Sequence, residues 1–359
     1  MRPLTAYLDL SALVHNYLYL KKLHGKQVFA VVKADAYGHG AVMCAKTLDA
    51  YVDGFAVAFL EEATELREEG VNKPILLLEG VFCASDYSLV EEKRLLPVIQ
   101  NEAQLKWFLE YSWKKPITVW LKMDTGMRRA GFMPKEFLLA EQLLKADASV
   151  AGIVEMTHLC CADLLDNEFT EQQLNCFTTQ SSQTANLKSI CNSAGVLYHP
   201  RAYQDIARVG IAMYGINPIA TTYSDKHLKP VMHLYSKIFS VKLLRRGEKI
   251  GYGGIFTAPY DMRIGLVACG YADGYPRVPS QDNCVWIDQV KSRIIGRVSM
   301  DMLSVELNRP QQGIGSQVEL WGAHISVNEI ALRANTISYE LLSHNRRAKR
   351  VYSPPLFTN

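Results

Sequence analysis

The N-terminal segment lacks the uninterrupted apolar core of a signal peptide or a membrane span. Asp9, His15 and Asn16 interrupt its apolar stretch. The eight cysteines form neither a CxxC pair nor the dense spacing of a small disulfide-rich domain. We therefore predict reduced thiols, a cytoplasmic location and no metal site.

The sequence also lacks a strong excess of charge of one sign. Its 39 basic and 36 acidic residues are spread along the chain and leave a formal charge of +3. Without a polybasic tract, nucleic acid and membrane partners are disfavoured, and a neutral or compact substrate fits better. The hydrophobic share of 48% is typical of a globular protein, and 359 residues suit two domains or one α/β barrel with an appendage.

Short apolar runs recur through residues 28–214, with polar amphipathic stretches between most of them. This is a βα rhythm, and the nearly continuous apolar runs indicate strands that are buried on both faces. Eight parallel strands close readily into a barrel. The eight runs are Val28–Val32, Phe55–Ala58, Ile75–Leu78, Pro97–Ile99, Ile117–Leu121, Gly152–Met156, Lys188–Cys191 and Ile206–Ile211.

After about residue 230 the pattern changes to glycine-punctuated runs with little helical periodicity, which predicts a mainly β domain. We place the domains at residues 1–228 and 229–359, although residues 1–10 could pair with the C-terminal domain. The predicted linker is Asn217–Pro218 with Thr221–Lys229, and a last helix is predicted at Val327–Leu342. The runs are Lys237–Leu244, Arg263–Cys269, Arg293–Val298, Met302–Leu307 and Gln317–Trp321.

Polar residues follow several of the barrel runs, where βα loops form the mouth of such a barrel. Lys33 ends the first run, before a glycine-flanked turn. An amine placed there can be desolvated, which lowers its pKa and lets the neutral form attack an aldehyde. The alternative is a lysine whose stem packs while its ammonium reaches water.

The fifth and sixth runs end in further reactive side chains. Lys122, Asp124 and Arg129 bring two cations and an acid to the same rim, unless they are ordinary surface charges. His158 follows the sixth run, where an imidazole can stack on a flat ring, orient a neighbour or have a purely structural role.

The last two runs have the features of a phosphate site. Asn192–Gly195 is suited to cradle an anion, although a plain strand-to-helix turn is the alternative. Gly210, two residues beyond Arg208, can present its N–H to a phosphate. Because the first loop supplies an amine, a cofactor with both an aldehyde and a phosphate satisfies both features, and pyridoxal phosphate is such a cofactor.

Nine motifs carry a family resemblance over nearly the whole chain. KADAYGHG at 33–40 is similar to the pyridoxal-phosphate attachment motif of alanine racemases, usually KANAYGHG. The resemblance implies a (β/α)8 TIM-like barrel that binds pyridoxal phosphate, a mainly β C-terminal domain and a head-to-tail homodimer. The other motifs, in the family's order, are MDTGMRRAG at 123–131, THLCCAD at 157–163, NSAG at 192–195, RVGIAMYG at 208–215, GYGGIF at 251–256, GYADGYPR at 270–277, GRVSMDM at 296–302 and TISYE at 336–340.

The resemblance also implies catalytic roles. Lys33 resembles the lysine that holds the cofactor as a Schiff base and acts as the base on one face of the substrate. Tyr252 resembles the opposite base, which comes from the partner subunit in this family. Arg208 resembles the arginine that faces the pyridine nitrogen, and His158 resembles the histidine that hydrogen-bonds this arginine.

Further residues resemble the family's binding groups. Arg129 resembles the arginine near the cofactor phenolate and the substrate carboxylate, and Lys122 resembles a lysine that is carbamylated in many members. Met300 and Asp301 resemble residues that line the partner's substrate pocket. The residues similar to the phosphate site are Tyr37, Asn192, Ser193, Gly210, Ile211 and Tyr339, and those similar to the entrance are Asp163, Tyr271, Arg277, Arg297 and Ile337.

Three departures from the family pattern leave every reactive group in place. Asp35 replaces the commoner asparagine and leaves Lys33 and Tyr37 in register. Arg128 occupies a position where glycine is frequent, and we expect it to face solvent. Cys160–Cys161 lie in the loop after His158.

The implied activity is that of an alanine racemase. Such an enzyme interconverts L-alanine and D-alanine by a two-base mechanism on a pyridoxal-phosphate aldimine and supplies D-alanine for peptidoglycan. A barrel-type decarboxylase would share Lys33, but we find no recognisable decarboxylase cysteine–aspartate motif. A pyridoxal-phosphate carrier would resemble the barrel alone, whereas this chain continues to residue 359 and includes Tyr252.

Overall fold

The computed structural model describes residues 2–181, 186–219, 226–277 and 283–353. The chain divides into two compact units. The first, residues 14–36 and 40–213, is called the barrel unit here. The second, residues 1–13, 37–39 and 214–359, is called the β unit.

Eight parallel strands form the sheet of the barrel unit, in the order β8-β7-β6-β5-β4-β3-β2-β9. Every residue of β3 and of β4 is buried, as expected of strands covered on both faces. The strands are β2 Gln27–Val31, β3 Gly54–Val57, β4 Ile75–Leu77, β5 Leu96–Ile99, β6 Ile117–Lys122, β7 Val150–Met156, β8 Leu187–Ser189 and β9 Ile206–Val209.

Hydrogen bonds join the two edges of this sheet. Asp205 N donates to Lys188 O at 3.0 Å, and Arg208 N donates to Cys191 O at 2.9 Å. The sheet is therefore a nearly closed barrel, and the predicted (β/α)8 fold is confirmed. All eight predicted runs overlap its strands.

Helices alternate with these strands, as right-handed βα crossovers require. Local signals begin several of them: the Asn101 side chain accepts Gln104 N at 2.9 Å before α5, and a proline opens α6. The helices are α1 Leu10–His24, α2 Ala41–Leu48, α3 Leu60–Glu68, α4 Tyr87–Glu92, α5 Glu102–Glu110, α6 Pro134–Ala146, α7 Phe169–Gln180 and α8 Ser193–Tyr198.

Six antiparallel strands close a ring in the β unit, in the order β10-β13-β16-β15-β14-β17. The long β10 pairs with both β13 and β17, and β1 and β18 extend the sheet beyond β10. The predicted mainly β domain is confirmed. Its strands are β1 Thr5–Leu8, β10 Met232–Leu244, β11 Lys249–Ile250, β12 Phe256–Thr257, β13 Met262–Val267, β14 Cys284–Ile287, β15 Val290–Ile295, β16 Leu303–Glu306, β17 Gln317–Trp321 and β18 Lys349–Tyr352.

The prediction of one last helix is wrong. Two helices lie there, α9 Val327–Arg333 and α10 Ser338–His344. Asn335 between them has a φ of 52°, and asparagine accepts the left-handed conformation that ends many helices. The predicted linker at Thr221–Lys229 lies partly outside the described residues, and the boundary at residue 228 stays a prediction.

None of the helices in the described ranges combines the length and the apolar character needed to cross a membrane.

Candidate active site

Lys33 lies just beyond the carboxyl end of β2, at the start of a left-handed turn. Ala34, Asp35, Ala36 and Tyr37 all have φ values of 52° to 54°. This conformation costs a residue other than glycine roughly 1–2 kcal/mol. Contacts with the surrounding structure must therefore hold the turn.

The Glu62 carboxylate is one of the side-chain contacts that hold this turn. Its Oε1 accepts a hydrogen bond from Ala34 N at 2.6 Å, and its Oε2 accepts one from Ala58 N at 2.7 Å. Glu62 belongs to the first turn of α3, so it connects the end of β3 to the turn that carries Lys33. On the other side, Asp35 Oδ1 accepts from Ala41 N at 2.8 Å.

Replacing Glu62 with glutamine should weaken this connection. The carboxamide has one oxygen and no charge, so the N–H of Ala34 or of Ala58 loses a hydrogen bond to a charged acceptor, which costs about 1–3 kcal/mol of unfolding free energy. Urea unfolding of the variant measures this loss. Glu61→Gln is the matched control, because Glu61 is exposed on the same helix turn. Equal stability of the two variants would contradict the role of Glu62.

Burial lowers the pKa of the Lys33 amine, and the nearby Arg129 cation lowers it further. Glu79 and Glu62 act in the opposite direction. The fraction of neutral, nucleophilic amine is therefore higher than for a solvated lysine. This is the chemical condition for attack on an aldehyde.

Lys122 ends β6 in the same environment. Its Nζ donates to Gln100 Oε1 at 3.3 Å. Burial lowers the pKa of Lys122 to about 8, with further contributions from Arg208, Arg129 and Lys33, while Glu79 opposes the shift. Lys33, Lys122 and Arg129 thus lie close enough to influence one another, as their positions after the strands predicted.

Arg208 is a buried cation held by neutral oxygens. Its guanidinium donates to Ser189 Oγ, to Thr157 O at 2.7 Å and to Ile190 O at 3.3 Å. Burial lowers the pKa of Arg208 to about 10, so the side chain remains charged at neutral pH. Three acceptors at the carboxyl ends of β7 and β8 fix the direction of this planar donor.

His158 is a neutral imidazole. Burial lowers its pKa well below the usual value, and the cations Arg208, Lys122, Arg129 and Lys33 lower it further. The hydrogen bond from His158 to Arg208 stays a prediction, since Arg208 contacts the carbonyl of the preceding Thr157. A neutral ring can accept or stack without adding positive charge.

The loop after β6 folds back on its own strand. Phe132 N donates to Lys122 O at 2.9 Å, and a Cβ on Gly131 would lie 2.7 Å from Asp124 N, so only glycine fits there. Arg128 and Arg129 at its tip are exposed, which confirms the solvent-facing position expected of Arg128. Arg128 has a φ of 58°, which explains why glycine suits that position.

The loops after β8 and β9 converge on the Ser193 hydroxyl. Ser193 Oγ accepts from Gly210 N at 2.9 Å and from Ala212 N at 3.3 Å. The Asn192 side chain caps α8 by accepting Gly195 N at 2.9 Å and donates to Leu159 O. Ile211 is buried directly after Gly210. The structure therefore brings together four of the predicted phosphate residues.

Tyr37 and Tyr339, the other two, are neighbours in the β unit. Their ring centroids are 5.8 Å apart, and Tyr214 lies 5.0 Å from Tyr37 on another side. Burial raises the pKa of Tyr37, so its hydroxyl keeps its proton. Gly38 has a φ of 80°, and a Cβ there would lie 2.1 Å from Leu342 O, which accounts for the glycine in the motif.

Tyr252 lies in a glycine turn of the β unit, between Gly251 and Gly253, and its side chain is 67% exposed. Met300 and Ile337 are also more than half exposed, at 54% and 61%. Asp301 accepts hydrogen bonds from Arg347 at 3.2 Å. The other residues predicted at the entrance are exposed or partly exposed: Asp163, Tyr271, Arg277 and Arg297.

Sequence reasoning missed five residues around this site: Glu62, Glu79, Gln100, Thr157 and Ser189. Glu79 and Gln100 follow β4 and β5 almost directly. Their positions after buried strands were the same signal that identified Lys33. Glu62, inside a helix, had no such signal.

Fold and site together define a barrel-type enzyme with a desolvated amine at a strand end. Residues 8–218 match the N-terminal domain of alanine racemases, and residues 231–352 match their C-terminal domain. The chain therefore belongs to the alanine racemase family.

Curated relatives match over nearly their full length. The alanine racemase of Neisseria gonorrhoeae is 47% identical over 352 residues, which are 98% of this chain and 99% of the relative. The solved biosynthetic alanine racemase of Pseudomonas aeruginosa is 44% identical with a TM-score of 0.96, covering 99% of this chain and 100% of that one. The solved alanine racemase of Bartonella henselae, with covalently bound pyridoxal phosphate, is 28% identical with a TM-score of 0.89. The match covers 98% of this chain and 100% of that one.

Proposed function

We propose that this protein interconverts L-alanine and D-alanine with pyridoxal phosphate as its cofactor. The desolvated amine of Lys33, set at a strand end in a chain of this family, is the observation that carries the proposal. The product D-alanine would supply peptidoglycan synthesis. A cytoplasmic location is part of the proposal and is supported by the free cysteines.

The barrel-unit residues fit this cofactor. Lys33 offers an amine, and Asn192, Ser193 and Gly210 gather amide, hydroxyl and backbone donors of the kind that bind phosphate. The two hydrogen bonds that Ser193 Oγ accepts leave its own hydrogen for a phosphate oxygen. Ile211, Tyr37 and Tyr339 are proposed as the remaining phosphate contacts.

Two bases would then act on the substrate α-carbon. When bound, pyridoxal phosphate supplies an aldehyde that condenses with amines and a conjugated ring that makes the α-proton acidic. Lys33 Nζ holds or delivers a proton on one face. The hydroxyl of Tyr252 of the partner subunit does so on the other face, and removal on one side with delivery on the other inverts the centre.

The surrounding cations orient the reactants. Arg208 stays charged, and its guanidinium can donate hydrogen bonds but cannot accept one. A ring nitrogen of the cofactor facing Arg208 would therefore stay unprotonated, which would favour return of the proton to the α-carbon. His158 would support Arg208. Arg129 presents a planar fork at the rim for the substrate carboxylate, oriented by Lys122, and Met300 with Asp301 would line the pocket of the partner.

A homodimer with shared active sites is part of this proposal. Large apolar side chains of the β unit are exposed, including Tyr252, Met300 and Ile337. Exposed large apolar side chains favour burial against a second copy. In that arrangement, the five predicted entrance residues would surround the approach to the site.

The pH dependence of stability should report the state of Lys122. Below about pH 8, a free Lys122 amine is charged in both states, and between 8 and 10.5 only the unfolded state holds the proton. The unfolding free energy should therefore rise with pH in that range, by about 3 kcal/mol for a shift of this size.

Urea unfolding of wild type and Lys122→Met at several pH values measures this rise as the difference between their unfolding free energies. This difference should grow from pH 8 to 10.5. The control Lys135→Met, at an exposed lysine, should show the same pH dependence of unfolding free energy as wild type. Parallel curves for wild type and Lys122→Met would contradict a free amine and favour a carbamate.

A chirality assay over a panel of L-amino acids, with added pyridoxal phosphate, tests the function. We expect D-alanine from L-alanine without release of carbon dioxide. Carbon dioxide release would favour a decarboxylase, and turnover confined to bulky or basic substrates would overturn the alanine assignment.

A further inference from the structure

Cys160 and Cys161 are adjacent free thiols with no role in the proposed reaction. They lie in the loop that leaves β7, two and three residues after His158. Their Sγ atoms are 3.5 Å apart, and both side chains are partly exposed. Two thiols at this spacing can both bond to one atom of the same reagent.

The geometry of the pair disfavours a disulfide. Adjacent Cα atoms are about 3.8 Å apart, below the usual range for bridged cysteines, so the bond would be strained. Burial raises the pKa of Cys160 to about 11, assisted by its contact with Cys161. The nucleophilic thiolate is therefore scarce at neutral pH.

The spacing suits two sulfurs bonded to one soft atom. At metal–sulfur lengths of about 2.3 Å and a tetrahedral angle, two bound sulfurs lie roughly 3.8 Å apart. No group of three or more histidine, cysteine or acidic side chains that could hold a metal exists within the described ranges. A centre that needs only two protein ligands therefore fits better than a structural metal ion.

We propose that Cys160 and Cys161 together form a dithiol site that captures one trivalent organoarsenic group. Such a group keeps one carbon substituent and bonds to two sulfurs. With an arsenoxide, two S–H bonds and the arsenic–oxygen bonds break, two As–S bonds form, and the oxygen leaves as water. Arsenic stays trivalent, so the step needs no oxidant or reductant.

The buried Gln173 of α7 pre-organises the site. Its Oε1 accepts from Cys160 N at 3.0 Å and from Cys160 Sγ at 3.3 Å. Its Nε2 donates to His158 O at 3.0 Å and to Thr125 Oγ1 at 3.1 Å. The loop backbone is therefore fixed before a ligand arrives, which lowers the entropy cost of chelation.

Mass spectrometry of the holoenzyme with phenylarsine oxide tests the site. Wild type should gain one phenylarsenic group, mapped to the peptide with both cysteines and removed by 2,3-dimercaptopropanol. Cys160→Ser and Cys161→Ser should each bind at least about 10²-fold more weakly, because the remaining thiol loses chelation. Cys83→Ser, which removes an exposed single thiol, should behave as wild type.

Cofactor absorbance and circular dichroism would first establish that each serine variant is folded. The proposal is overturned if wild type gains no phenylarsenic group or if the adduct maps to another cysteine. It is also overturned if either serine variant binds phenylarsine oxide as tightly as wild type does. A disulfide between Cys160 and Cys161 in place of the adduct would overturn it as well.

Discussion

Racemisation of alanine should be lost when Lys33 is replaced by alanine, together with the near-visible absorbance of lysine-bound pyridoxal phosphate. The variant removes both the amine that would hold the cofactor and the base on one face. Loss of the base alone is expected to cost about 10²–10⁴-fold in rate. Absorbance spectra and a D-alanine assay measure the two effects.

Lys22→Ala is the matched control, because Lys22 is exposed on α1. It should keep both signals. Retained absorbance in Lys33→Ala would remove Lys33 from its role as the cofactor lysine. Lost turnover with retained absorbance would leave it only as a base.

Replacing Tyr252 with phenylalanine should lower racemisation by about 10²–10⁴-fold, because the ring stays while the proton-transferring hydroxyl is removed. Cofactor absorbance should be unchanged, since Lys33 is intact. Tyr260→Phe is the control, at another exposed tyrosine of the β unit, and should retain activity.

Mixing the two inactive variants tests the shared site directly. In a hybrid dimer, one site combines Lys33 of the Tyr252→Phe subunit with Tyr252 of the Lys33→Ala subunit, and the other site lacks both. With random exchange, about one quarter of wild-type activity per subunit should return. Absence of recovery in dimers shown to be hybrid would contradict a tyrosine supplied by the partner.

The barrel was predictable because strands buried on both faces leave continuous apolar runs, such as that before Lys33. The same logic located Lys122 and His158, which come just after such runs, and Arg208, which lies within the last of them. The left-handed turn after Lys33 was not predictable, because Ala34 and Ala36 carry no local signal for a positive φ. Contacts in the folded structure hold that conformation, among them the bond from Ala34 N to Glu62 and the bond from Ala41 N to Asp35.

The β unit was harder to predict in detail. Its short strands β1, β14 and β18 were outside the predicted runs, because their apolar pattern is too short to stand out. The helix break at Asn335 was missed since asparagine within an otherwise helical stretch is a weak signal. Tyr252 was found through motif resemblance, since an exposed tyrosine in a glycine turn has no intrinsic catalytic signature.

The parallel pairing of β1 with β18 has a consequence for synthesis. Thr5 pairs with Lys349, and Arg2 donates to the carbonyl of Arg347, 345 positions away. A nascent chain can assemble the strands from β2 to β9 and pair β1 with β10 while translation continues, whereas the other edge of β1 has to wait for the last residues to leave the ribosome. We expect chains truncated near residue 345 to form a folded barrel and an incomplete C-terminal sheet. That sheet should be more sensitive to proteolysis than the barrel.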